Sequence, residues 1–294
     1  MPLGVGFLFF EIIKIYYFHK YIVLSQKKIY FISFLLHFKG EMGMKKVGAL
    51  AIAVMVGASV FSFGDLASAS PNEPYVGQIV KMQPGFSGDQ VVKEAERVAK
   101  MQHRTKEQVL KQMYTELKKD YDQGKKEEKA IGGLGNSDGD YKIRAGKKGD
   151  IYYTDSKTGG VNHGHVGMYL KSNVFVESTP DKKHPKLDGV HRKYIYNRTV
   201  RKGAIEQRVK VSKSKRYSAL KWADSRVSKD KYSNNFSTNR LTSHYGKKNC
   251  SKLIWSAYKL KAKIDLDKDK GAGVYPRDIR DYKKVYKIKT IAYK

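Results

Sequence analysis

The stretch KKNCSKLIWSAYKL, Lys247 to Leu260, holds the only cysteine in the chain. Asn249 suits an N-cap, which places Cys250 in the first turn of a helix whose Leu253, Ile254, Ala257 and Tyr258 share one face. Free N–H groups and the positive end of the dipole stabilise a thiolate there, as a reactive cysteine requires. A cysteine kept for packing belongs more naturally on the Leu253 face. From this segment alone, nucleophile and small buried hydrophobe both stay open.

A thiolate needs a base. VNHGHVGMYLKSNVFVES reads as two strands joined near Lys171-Ser172-Asn173. An odd number of loop residues puts His165 and Glu177 on one face, so that the carboxylate accepts from one imidazole nitrogen and leaves the other for the sulfur. Gly164 and Gly167 leave room beside the histidine. Three alternatives stand beside this: His165 and Glu177 as ordinary strand residues, a mixed zinc site of His163, His165, Glu177 and Cys250, and His163 or His244 as the base. No second cysteine or paired ligand spacing supports the zinc reading, so no metal and no cofactor is expected.

These residues must be carried by a scaffold, and the strand signals begin near residue 146. KKGDIYYTD, HVGMYL, VFVES, KYIYNRTV and EQRVKV are short β-branched and aromatic runs between turn residues, each read as a strand. A helix follows from about Ser214 to Ser228, then the Cys250 helix, a turn at GAGVYPRDI and a terminal strand at KVYKIKTIAY. Upstream, Ser87 with Gln90 and Thr105 with Gln108 have capping-box spacing. They open two amphipathic helices forming a hairpin over about 87–123, joined at His103-Arg104. It lies within a segment 70–130 whose lead-in, Pro71 to Phe86, reads as extended. Residues 131–145 have linker composition, rich in Gly, Asn, Ser and Asp.

The front of the chain concerns destination. From Met44, Lys45 and Lys46 precede an apolar run, Val47 to Phe63, and Ala67-Ser68-Ala69 closes it, so residues 44–69 read as a signal peptide; a retained anchor is the competing reading. Residues 1–43 are Phe, Ile, Tyr and Lys-rich, and are read as untranslated leader or a membrane segment. The formal charge is +30, and removing residues 1–69 takes 7 basic and 3 acidic side chains and leaves +26. In an exported protein such a field favours anionic wall polymers or phospholipid surfaces. Export and the lack of a helix with basic residues clustered on one face argue against nucleic acid.

The order histidine, acid, cysteine, with KGDIYYTD, GHVGMYL, FVES, CSKLIWSAYK and GVYPRDI in that sequence, resembles the circularly permuted papain-like amidases of the NlpC superfamily, the YiiX- and YycO-like branch. ALKWADSRVSKDKYSNNF also looks like that branch. The resemblance covers residues 146–294. It implies an α+β, papain-like domain with an antiparallel sheet against the nucleophile helix, following the helical hairpin. It further implies Cys250 as nucleophile, His165 as general base then acid, and Glu177 as the orienting residue. Asn249 departs from the aromatic residue relatives often carry before the cysteine, which leaves Cys250 N–H, Asn249 and Tyr153 as oxyanion-donor candidates. The expected protein is thus a secreted cysteine amidase or endopeptidase acting on cell-wall peptides of peptidoglycan. A lipid-like or acyl-amide substrate, acyl transfer on the same scaffold, and a non-catalytic wall-binding protein remain alternatives. Trp222, Tyr232, Phe236 and Trp255 are candidates for a substrate groove.

Overall fold

The computed structural model describes residues 73–133, 139–181 and 183–294. The leader and signal segments, and residues 134–138 of the expected linker, lie outside the described residues. Among those described, no helix is long and apolar enough to cross a membrane.

Three helices come first: α1 (Val76–Met82), α2 (Gly88–Gln102) and α3 (Lys106–Ala130). Both expected capping boxes form, Ser87 with Gln90 and Thr105 with Gln108, each closing two free N–H groups at a helix start. His103 takes a left-handed conformation, φ 53°, at the joint. Two expectations need correction here. The lead-in is not wholly extended: Val76, Ile79 and Met82 recur every third residue, and burial of that short stripe against α2 and α3 holds a helix too short for its own periodicity to declare it. The second hairpin helix also runs on to Ala130, with Gly124 buried in it, through residues whose charge alone suggested a loop.

The rest is α+β. Strands β1 (Lys142–Ile143), β2 (Ile151–Thr154), β3 (Lys157–Thr158), β4 (Val161–Asn162), β5 (His165–Lys171), β6 (Val174–Thr179), β7 (Gly189–Tyr194) and β8 (Ile205–Val209) precede α4 (Lys213–Asp224) and α5 (Cys250–Lys261). Then follow α6 (Pro276–Arg280), β9 (Val285–Thr290) and β10 (Ala292–Tyr293). The main sheet is antiparallel throughout, with order β7-β6-β5-β2-β8-β9. β7 begins upstream of the expected KYIYNRTV run and shares only Lys193 and Tyr194 with it, because Gly189–Tyr194 pair with β6 while Ile195–Asn197 turn into a short 3₁₀ helix. β1 pairs with β10, so part of the expected linker is strand, held by the end of the chain. α4 ends at Asp224, earlier than expected, with Val227 in the turn that follows.

One face of the sheet packs Ile151, Val166, Met168 and Val176 against Leu253, Ile254 and Ala257 of α5 and Ala219 and Leu220 of α4. The other face packs Tyr152, Tyr169 and Phe175 with Ile143, Val200 and Ile291. Burying both faces explains why these strands read as continuous apolar runs.

Candidate active site

The hairpin β5–β6 decides which side chains meet. Its turn holds two residues, Ser172 and Asn173, between the paired Lys171 and Val174. An unbroken register from that turn would put His165 and Glu177 on opposite faces. A bulge between Tyr169 and Lys171 supplies the odd residue, so that Met168 pairs with Val176 and the register sets Gly167 opposite Glu177. His165 is then the diagonal, same-face neighbour of the acid. Across four strands, Tyr152, Gly167, Glu177 and His191 form one row. An alanine methyl at 167 would lie 2.4 Å from the Tyr152 ring, so glycine is what lets the phenol cross the row toward Glu177.

Glu177 is fully buried and collects the site around it. Its Oε2 lies 2.8 Å from His165 Nε2 and accepts from the Tyr152 hydroxyl. Arg198 Nε stands 3.6 Å from the same oxygen, and His191 Nε2 3.5 Å from Oε1. Burial pushes the Glu177 carboxyl up, but Arg198 and the two imidazoles, His165 hydrogen-bonded and His191 3.5 Å away, outweigh it and hold the group well below the usual carboxylate range.

With Nε2 committed to Glu177, Nδ1 is the His165 nitrogen left for the sulfur, and the imidazole stands close enough to Cys250 for each to shift the other's ionisation. Burial and Arg198 push the imidazole down; Cys250 and Glu177 raise it more, and its pKa ends above the ordinary value. Burial likewise pushes the Cys250 thiol up, and His165 with the backbone groups of Val166 and Ser251 brings it below its usual value. Asn249 caps α5 as expected, its side chain accepting from Lys252 N at 3.0 Å. The cysteine is therefore a thiolate-favouring group at a helix start beside an imidazole, the arrangement of an activated sulfur nucleophile.

Other expected members sit elsewhere. His163 Nδ1 lies 2.7 Å from Asp120 and its ring stacks on Phe236 at 4.3 Å, contacts that tie it to the helical segment. His244 bonds Ser256 and stacks on Trp255. Asn249 spends its amide on Asn235 O, and the Tyr153 hydroxyl turns to Asp155, so neither is aimed at an oxyanion beside Cys250. Trp222 and Trp255 belong to the main core and Phe236 to the helical one. Tyr232 differs: it is half-buried and stands close enough for the sulfur's charge to bear on its phenol. Sequence reasoning missed Tyr152, His191 and Arg198; the first two become visible once β2, β6 and β7 are aligned in register, and Arg198 carries no local signal. Elsewhere, Asp267, Asp269 and Asp278 bring carboxylate oxygens within 4.8 Å of one another, with Arg240 and Lys119 already paired to the first two at 2.9 Å.

Comparison with known proteins finds no matching family model and no matching solved structure. It does find a Bacillus subtilis (strain 168) protein described as uncharacterized protein YycO, 42% identical over 250 residues that span 84% of this chain and 98% of the relative. At that identity over nearly the whole relative, the chain belongs to the YycO family.

Proposed function

We propose that this protein is a papain-like cysteine hydrolase that cleaves an amide bond, with Cys250 as nucleophile, His165 as general base and acid, and Glu177 orienting the imidazole. The reading rests on one observation above all: the sole cysteine starts a helix beside the histidine whose other nitrogen is held by a buried carboxylate. The thiolate attacks the carbonyl carbon, and His165 gives its proton to the leaving amine as the C–N bond breaks. Water then adds to the thioester, passing a proton to the same nitrogen, and the S–C bond breaks. In this reading the Cys250 N–H at the helix start is the backbone donor for the developing oxyanion, and Tyr232, whose phenol feels the sulfur's charge, is the side-chain candidate to assist it. The strongly basic chain and its secretory front end support an exported enzyme held at an anionic cell wall, with wall peptides as substrate.

The test is digestion of purified peptidoglycan by residues 70–294, with mass spectrometry of the fragments. Release of defined stem peptides that stops in Cys250→Ala supports the proposal. Turnover that survives Cys250→Ala sinks the mechanism. Cys250-dependent cleavage of acyl-amides with intact peptidoglycan would keep the mechanism and replace the substrate.

A further inference from the structure

The proposed cycle poses a charge problem that Cys250, His165 and Glu177 do not solve among themselves. In the resting state the thiolate and imidazolium balance, and the imidazolium faces the carboxylate. Once the amine has left, the sulfur is in a neutral thioester and His165 has given its proton away. Glu177, with no exposure to solvent, must then stay ionised while its catalytic partner is neutral. A buried carboxylate left without a counter-charge takes up a proton.

Among the described residues, four side chains face Glu177, each from a different segment. Tyr152, from β2, is a neutral donor. His165, from β5, alternates between charged and neutral as the reaction proceeds. His191, from β7, has Nδ1 3.0 Å from Gly189 O and Nε2 3.5 Å from Oε1. Arg198, from the segment leading to β8, is 6% exposed, with Nε 3.6 Å from Oε2. Among the described residues it is the one permanently charged group facing this carboxylate.

We infer that Arg198 is a positioning residue for the second half of the reaction, keeping Glu177 ionised while His165 is neutral. The consequence runs through the tautomer. An ionised Glu177 accepts from Nε2–H and leaves Nδ1 bare to take a proton from water. A protonated Glu177 donates to Nε2 instead, moves the imidazole proton to Nδ1, and removes the base that hydrolysis of the thioester needs. Loss of Arg198 should therefore spare formation of the acyl-enzyme, which starts from imidazolium, and slow its breakdown. Arg198 also opposes the proton on His165, so it tunes both partners of the pair.

This inference rests on the proposed cysteine mechanism, and stopped-flow kinetics with p-nitrophenyl acetate separates the two. Attack by Cys250 releases p-nitrophenolate in a first phase, and thioester hydrolysis sets the steady state. Arg198→Met should keep a first phase of one acyl group per chain, within about threefold in rate, while the steady state falls about tenfold or more. Arg198→Lys, which keeps the charge, should recover most of the steady state. Equal slowing of both phases, no slowing, or a Lys variant as poor as Met overturns the role of Arg198. A first phase that persists in Cys250→Ala, or is absent in the unmutated protein, overturns the cysteine mechanism itself. If Arg198→Met does not fold, the unmutated protein decides by infrared difference spectroscopy on acylation: Glu177 remaining a carboxylate supports the inference, and a new carboxylic acid band that disappears in Glu177→Gln overturns it.

Discussion

His163 and His165 stand two residues apart, and each binds a buried carboxylate, Asp120 at 2.7 Å and Glu177 at 2.8 Å. Their surroundings differ, and with them the uses proposed for each. His163 ties the β4–β5 connection to α3, in a network where Arg277 reaches Asp120 and Glu127 at 2.9 Å, Asp155 at 3.3 Å and the Asn162 carbonyl at 3.0 Å. Its second nitrogen is buried without a hydrogen bond. His165 has its second nitrogen free of Glu177, and a sulfur stands within electrostatic reach of the ring. A histidine–carboxylate pair is thus no mark of catalysis by itself; what the free nitrogen faces assigns the role.

The largest effect should come from exchanging the two histidines' fates. His165→Ala should lower turnover by about 10²–10⁴-fold, the usual worth of a positioned acid–base group. His163→Ala should leave turnover per folded molecule within about threefold and lower the melting temperature instead. Iodoacetamide separates them without any substrate. Cys250 should alkylate well below the usual thiol titration near pH 8.5 in the unmutated protein and in His163→Ala. In His165→Ala the rate should rise only as an ordinary thiol ionises, because the partner that lowers the sulfur's pKa is gone. A His163→Ala protein with the alkylation profile of His165→Ala would erase the distinction.

The structural region predicts a second effect. Arg277 is buried against three carboxylates, so Arg277→Met strands their charge in the interior and should cost about 3–5 kcal/mol in urea unfolding. Activity per folded molecule should hardly change, since none of those groups touches the sulfur. This network also bears on the helical segment. α1–α3 share a core with Phe236 and Tyr275, and the ion pairs of Arg277 and Arg280 cross to Asp120 and Glu127 of α3. They form a built-in wall of the domain.

Lys252 supplies a contrast within α5 itself, two residues after Cys250. It is fully buried with Lys248 and Arg240 as charged neighbours, and burial, then those two, bring it from an ordinary 10.5 down to about 7. A lysine depressed by folding costs nothing above its unfolded pKa. The cost grows as pH falls from there to about 7, and is constant below. Lys252→Met should therefore stabilise the protein by up to about 4 kcal/mol near pH 7 and little near pH 11. Loss of the bond to Thr242 O takes back part of that gain. Equal effects at both pH values would show that packing, and not charge, sets the difference.

How much of this was legible follows from which signals are local. The capping boxes, the apolar face of α5 and the first-turn cysteine are written within a few residues, and all appear where their spacing puts them. The same-face relation of His165 and Glu177 was legible only as a condition on loop length, and it was met through a bulge at residue 170 in place of a longer turn. α1 was missed because seven residues carry too little periodicity, and its helix depends on contacts with α2 and α3. Arg198 was invisible for a stricter reason. It reaches Glu177 from another segment, and no spacing within its own run of residues records that approach.

The smallest effect comes from two glycines that hold equivalent positions in the two regions. Gly167 lets the Tyr152 ring pass over it to Glu177, and Gly124 lets α3 approach the Asn162 carbonyl, where an added methyl would lie 2.2 Å from the oxygen. Alanine at either site must push neighbours aside, at a cost of about 1–3 kcal/mol. Chemical denaturation should find the two costs similar. Only Gly167→Ala displaces the phenol that fixes Glu177, so only it should also lower the alkylation rate of Cys250. If Gly124→Ala lowered that rate as much, the helical wall and the proposed site would be one mechanical unit, and the contrast between His163 and His165 would have to be redrawn.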